Sequence, residues 1–355
     1  MINADLERRA FLNLVGTGLI AIPLSRARGA EPPTAEMPKS PDTLMGEVCA
    51  YIQQSATAKL PANVVQKAKH HILDTLTAMV SGAEFKVGHL SREFTKSQGG
   101  SAEAQVAGAN FLTSASNAAF ANGNMAHADE TDDSHEASGT HPGCAILPAA
   151  LAVAEKENAS GRAFLNAIVA GYDIGCRINL ALDPEMMRAR SLATHSIGGI
   201  FGAATAAASV MRLDAARLRY VIDYAGQQAS GIRYWVRDEE HVEKAFVFGG
   251  MPARSGVMAA SMVQAGFTGV ADCLTGENNL LNALSSAPQP ARLIEGLGRH
   301  YEIMATNIKK FPVGSPIQAP LEALTILIKR HNLKPDAVKS IAVRLPSSRT
   351  VNDRA

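Results

Sequence analysis

Residues 198–208 read GGIFGAATAAA, directly behind Thr194-His195-Ser196-Ile197. Glycine inside a helix costs about 1 kcal/mol relative to alanine, so a run like this belongs where helix backbones must approach closely. The rest of the chain agrees: only 5% of its 355 residues are aromatic, while 46% are hydrophobic. That balance favours close-packed helices over a β-sandwich, with ample length for one large or two unequal domains.

Helical periodicity runs through most of the body. Leu44, Val48 and Ile52 mark one face. Pro61 opens a second helix, with Val65, Ala68, Ile72, Leu76 and Met79 at helical spacing and Gly82 as its stop. Residues 102–109 read as a short strand or turn, and residues 114–122, 145–156 and 163–182 as helices. Asp214 is placed to cap a helix through Leu218, Val221 and Ile222, and Pro252 to begin another. After Gly266 the texture changes, with Gly269, Gly276 and a Pro-rich stretch at 285–290. Residues 301–309 and 339–345 read as strands around a helix at 320–331, the start of an α+β unit. The predicted class is therefore mainly α: an all-helical domain over 42–268, then a smaller, incomplete α+β lid over 269–355.

The first residues carry a different signal. Arg8-Arg9 with Phe11-Leu12, an apolar run from Leu14 to Leu24 and small residues to Ala30 resemble a twin-arginine export signal over 1–30. The apolar run is too short for a comfortable membrane span. A linker over 31–41 follows, and the expected location is periplasmic, with a frayed cytoplasmic extension as the alternative reading. The net charge of +1 gives no reason to expect nucleic acid or an acidic membrane as partner. Cys49, Cys144, Cys176 and Cys273 show no zinc spacing and read as buried thiols, although an even count would permit disulfides.

Against this apolar background, residues 124–149 gather His127, His135, His141 and five acids into one short run. Polar chemistry concentrated within a helical scaffold is the sequence form of an active site. At 100° per residue, His127, Glu130, Thr131 and Ser134 share a helix face, with Asp129, Asp132, Asp133 and Glu136 opposite, provided the helix persists. Taken singly, His127 reads as a packing or capping histidine, Asp132 and Asp133 as residues that cap the turn, and His135 as exposed. His70 and His71 read as structural or exposed.

The run Ala126 to Ser134, with Thr140-His141-Pro142 and Leu147-Pro148-Ala149-Ala150, resembles the MmgE/PrpD family. Leu73-Asp74-Thr75, Thr194 to Gly198, Gln228 to Gly231, Lys244 to Gly249, Ala253 to Gly256, Gly266 to Gly269 and Ile308 to Pro312 follow in family order. The resemblance implies an all-α domain with an α+β lid, a homodimer and a cofactor-independent lyase acting on a di- or tricarboxylate. Relative to that family the lid looks truncated. By this likeness His141, His195, Lys244, Glu130 and Ser134 are the catalytic candidates. His127, Arg254, Lys309 and Lys310 are the substrate-binding candidates, and no metal is called for. The implied chemistry is abstraction of a proton α to a carboxylate and loss of water. The family decarboxylases carry a histidine just after the Phe-Pro pair; here Val313-Gly314-Ser315 follows Pro312. Three other readings remain: a decarboxylase or epimerase, a non-catalytic carboxylate-binding protein, and a metal-dependent hydrolase using His127, Asp129, Asp133, His135 and His141.

Overall fold

The computed structural model describes residues 43–345; the twin-arginine segment and the linker lie outside the described residues. The helices are α1 (Leu44–Ser55), α2 (Ala62–Gly82), α3 (Lys86–Gln98), α4 (Ala115–Ala126), α5 (Gly143–Lys156), α6 (Gly161–Leu182), α7 (Pro184–Ala189), α8 (Thr194–Val210) and α9 (Ala215–Gln228). Beyond these come α10 (Val242–Ala245), α11 (Met251–Gln264), α12 (Leu280–Leu284), α13 (Ala291–Ile294) and α14 (Ser315–His331). Two short strands, β1 (Ala104–Gln105) and β2 (Leu112–Thr113), pair antiparallel. The chain is mainly α, as its composition requires. Many of the starts are written in the sequence: Thr43, Ser114, Ser160, Asp183 and Asp214 each accept a backbone N–H from the first turn of the helix that follows.

The small-residue run does the work expected of it. α8 is buried along nearly its whole length. A Cβ added at Gly175 of α6 would lie 2.7 Å from the Gly198 carbonyl oxygen, and one at Gly256 of α11 would lie 2.5 Å from the Ala204 nitrogen. α8 is thus the central rod against which α6 and α11 pack almost backbone to backbone, and its first turn carries His195.

Three expectations are corrected. Residues 301–309 form a 3-10 turn at Glu302–Ala305 and one isolated bridge from Asn307 to Ser134, and residues 339–345 carry no regular structure. A strand needs a partner edge for its N–H and C=O groups, and among the described residues neither segment has a full one. The last helix begins at Ser315, with Pro316 in its first turn, so Pro320 lies inside it. His135 is buried, not exposed; its Nε2 lies 3.2 Å from Glu302 Oε2, and the same carboxylate meets Arg177. Leu274, Leu281, Leu293 and Ile303 enter the same core as the helices before them. Cys49, Cys144 and Cys176 are buried free thiols, and Cys273 is a half-buried one. No described helix is long and apolar enough to cross a membrane.

Candidate active site

The site begins where α4 ends. His127 caps the C-terminus of α4, and the helix does not continue through Ser134. Asp129 Oδ1 accepts the Thr131 N–H and hydroxyl, a local turn that competes with the helix, and Glu130 has φ +60°. The shared face expected for His127, Glu130, Thr131 and Ser134 therefore does not exist. Asp132, expected on the opposite face, comes inward instead.

Asp132 is the hub. Its Oδ2 lies 2.8 Å from His127 Nδ1 and 3.2 Å from His141 Nδ1, and its Oδ1 lies 3.4 Å from Lys309 Nζ. A carboxylate so placed makes each Nδ1 the donor, which leaves both Nε2 atoms as acceptors. Burial alone would raise the Asp132 carboxyl, but His127, Lys309 and His141 outweigh it and hold it well below its ordinary range. Burial pushes His127 well below its ordinary value despite Asp132. His195 is also held down, by burial first and then by the charges of His141 and His127. His195 stands in the first turn of α8, and burial is the first cause of its depression.

Glu130 gathers the cations. Its carboxylate pairs with Lys244, and its Oε2 lies 3.1 Å from Lys309 Nζ, which also reaches the Glu130 carbonyl at 2.8 Å. His241 Nε2 lies 3.8 Å from Glu130 Oε1 and donates to the His127 carbonyl at 2.9 Å. One aromatic ring organises the histidines: Phe248 stacks on His195 at 3.7 Å and on His127 at 4.2 Å, and lies 5.5 Å from His141. Trp235 meets both Phe248 and His195 edge-on, and the Lys244 ammonium lies over the Phe248 and Trp235 rings. Phe248 reaches this position from a single π-helical turn, Phe246–Gly250, between α10 and α11.

Of the sequence-predicted residues, His127, Glu130, His141, His195, Lys244 and Lys309 meet here. Ser134 is beside them, its hydroxyl accepting from Ser315 at 3.0 Å. Lys310 is exposed and pairs with Glu322, and Arg254 is exposed on α11 with no hydrogen bond or ion pair to a described residue. Asp132, His241, Phe248 and Trp235 were missed. Only Asp132 had a usable signal, a carboxylate between two histidines; the others arrive through tertiary approach. The ligand set of the metal reading is dispersed, since Asp133 pairs with His71 and His135 with Ser138. Two other triads, His127–Asp132–His141 and His127–Glu130–His241, bring potential ligand atoms within 4.8 Å. In both, a lysine ammonium already sits on the carboxylate.

Behind the loop, Asp133 accepts from Tyr172 at 2.6 Å and from the Gly143 N–H at 2.9 Å, and meets His71 Nδ1 at 2.6 Å. The capping expected of Asp133 is present at the start of α5. Asp74, three residues after His71 on α2, has a buried Oδ2 without a partner, and burial, then Asp133, push its carboxyl up to about 7. An acid raised in the folded state binds its proton more tightly there than in the unfolded chain, so this group's contribution falls as pH rises from about 4 to about 7. Asp74→Asn is expected to stabilise the protein by roughly 2 kcal/mol at pH 8, with the gain vanishing below pH 4. Denaturant melts at the two pH values test it; a pH-independent difference would refute it.

Residues 46–293 match the MmgE/PrpD N-terminal domain. Among curated proteins, the chain is similar to the cis-aconitate decarboxylase-like protein oryM of Aspergillus oryzae, 27% identical over 63% of this chain and 47% of that protein. It is similar to the cis-aconitate decarboxylase of Aspergillus terreus, 23% identical over 80% of this chain and 60% of that one. It is also similar to the human cis-aconitate decarboxylase, 26% identical over 82% and 62% respectively. The chain thus spans about half to three fifths of the length of these relatives.

Proposed function

Because the chain belongs to the MmgE/PrpD family, we propose that it is a cofactor-independent lyase that dehydrates a hydroxy di- or tricarboxylic acid. One observation carries the reading: a single buried carboxylate, Asp132, orients His127 and His141 beside a neutral His195, with Lys244 and Lys309 converging on the adjacent Glu130. Removing a proton α to a carboxylate needs a base that is unprotonated near neutral pH, and a histidine fixed through Nδ1 offers its Nε2 for that purpose. One of His141 and His195 takes the proton; the other protonates the leaving hydroxyl. Lys244 opposes the negative charge that spreads onto the substrate carboxylate, and Glu130 and Ser134 position the acid or relay protons.

Decarboxylation is the second reading, favoured by what the three relatives are named for. Against it, Val313-Gly314-Ser315 and not a histidine come directly after Phe311-Pro312 here. Proton NMR of hydroxy di- and tricarboxylates in deuterated water separates the two. Dehydration gives α-proton exchange and a product that keeps every carbon, whereas decarboxylation loses one. Lys244→Ala and His195→Ala are each expected to slow exchange by roughly 10²- to 10³-fold. Exchange undiminished in both variants would sink the reading.

A further inference from the structure

Two arginines outside the motifs named above, Arg188 and Arg233, stand at the rim of the site. Segments 188–196 and 231–235 are zipped together: the Ala193 N–H donates to the Gly231 carbonyl at 3.0 Å, the Arg233 N–H donates to the Ser191 carbonyl at 2.8 Å, and Leu192 bridges Ile232. The pairing brings Arg188 and Arg233 to the start of α8. A Cβ built on Gly139 would lie 2.6 Å from Arg188 Nη1 and 3.4 Å from Thr194 Oγ1, so the Arg188 guanidinium packs on Gly139 beside the first residue of α8. Trp235, two residues beyond Arg233, lies edge-on to His195 at 5.6 Å.

Both arginines are half-buried, and neither guanidinium makes a hydrogen bond or ion pair with a described residue. Burial, then the charge of Arg188, lowers the Arg233 guanidinium, and Arg233 in turn bears on His195. Lys244 and Lys309 are matched by Glu130 and Asp132, so the arginines are the unbalanced cations of this neighbourhood. The start of α8 adds to them. The Thr194 hydroxyl donates to Gly139 O and so does not cap the helix, and the buried His195 Nδ1 has no partner.

We propose that Arg188 and Arg233, with the first turn of α8, form an oxyanion site that takes a carboxylate of the substrate remote from the one at Lys244. Two adjacent guanidinium forks without an acid partner are arranged to be completed by a planar anion, which each can bind in a bidentate manner. The substrate is then at least a dicarboxylate spanning His195. That the occupant is the substrate rests on the proposed lyase function; that an anion binds here does not.

Calorimetric titration of the full chain tests the site. Tricarballylate serves as a tricarboxylate with no hydroxyl to eliminate, butyrate as a monocarboxylate, and inorganic phosphate as the rival oxyanion. Arg233→Gln and Arg188→Gln are each expected to weaken tricarballylate by roughly 10- to 100-fold and to leave butyrate within a few-fold. Should Arg188→Gln lower the melting temperature by disturbing Gly139, Arg233→Gln carries the test alone. Equal tricarballylate affinity in wild type and variants overturns the proposal, as does a wild-type protein that binds neither tricarballylate nor phosphate. Arginine-dependent binding of phosphate alone overturns the assignment to a carboxylate. Arginine-dependent tricarballylate binding without turnover of any hydroxy acid upholds the site and removes the lyase reading.

Discussion

Asp132→Asn is expected to cut α-proton exchange by roughly 10³- to 10⁴-fold while leaving the affinity for an unreactive tricarboxylate within a few-fold. The carboxylate accepts from two imidazoles through one oxygen and faces Lys309 with the other. An asparagine of the same size offers one carbonyl and one NH2 group. It cannot accept from both histidines and face a lysine through its remaining atom. Either the carbonyl keeps both imidazoles and the NH2 group is turned against the Lys309 ammonium, or the NH2 group is turned against an Nδ1–H and that histidine changes tautomer and loses the free Nε2; in both cases the negative charge that would balance a protonated imidazole is gone. The loss should fall on the chemical step, because the lysines and arginines that would hold the acid remain. NMR exchange rates and calorimetric affinities measured side by side check the split. An Asp132→Asn protein that exchanges within tenfold of wild type would mean that neither His127 nor His141 moves the proton.

Asp132 also shows where sequence reasoning reached its limit. The helices, several of their caps and the close-packed role of residues 198–208 follow from local chemistry, since side-chain size and hydrogen-bonding capacity at each position decide them. The placement of His195 in the first turn of α8 follows in the same way. A helical wheel drawn through residues 127–134 fails because the Asp129 carboxylate offers Thr131 a turn of its own, and Glu130 then adopts a positive φ. The wheel placed Asp132 outside, and the turn brought it to the centre. Residues 301–309 and 339–345 have strand composition but find no full edge to pair with among the described residues. His241, Trp235, Arg188 and Arg233 reach the site through contacts between segments distant in sequence, and nothing in their local pattern marks them; Phe248 lies inside the Lys244 to Gly249 run, but only the π-helical turn aims its ring at the histidines.

A large stability effect is expected where α4 meets the π-helical turn. Gly123 and Gly249 face each other backbone to backbone. A Cβ at Gly249 would lie 2.0 Å from the Gly123 carbonyl oxygen, and one at Gly123 would lie 2.5 Å from the Gly249 oxygen. The obstacle is main chain in both cases, so no side chain can swing aside to make room. Gly249→Ala is therefore expected to cost roughly 3 kcal/mol or more and to lower the melting temperature by several degrees. Gly161→Ala, at the exposed start of α6 where a Cβ meets nothing within 4 Å, is the matched control and should melt like wild type. The damage should also reach the chemistry. The same turn seats Phe248 between His127 and His195, and a shift of about 1 Å in either ring is enough to slow proton transfer roughly 10²-fold. Thermal melts and exchange rates of the two glycine variants decide the matter. If Gly249→Ala loses stability yet keeps full exchange in its folded fraction, the π turn supports the fold without setting the geometry of the histidines, and Phe248 is packing rather than alignment.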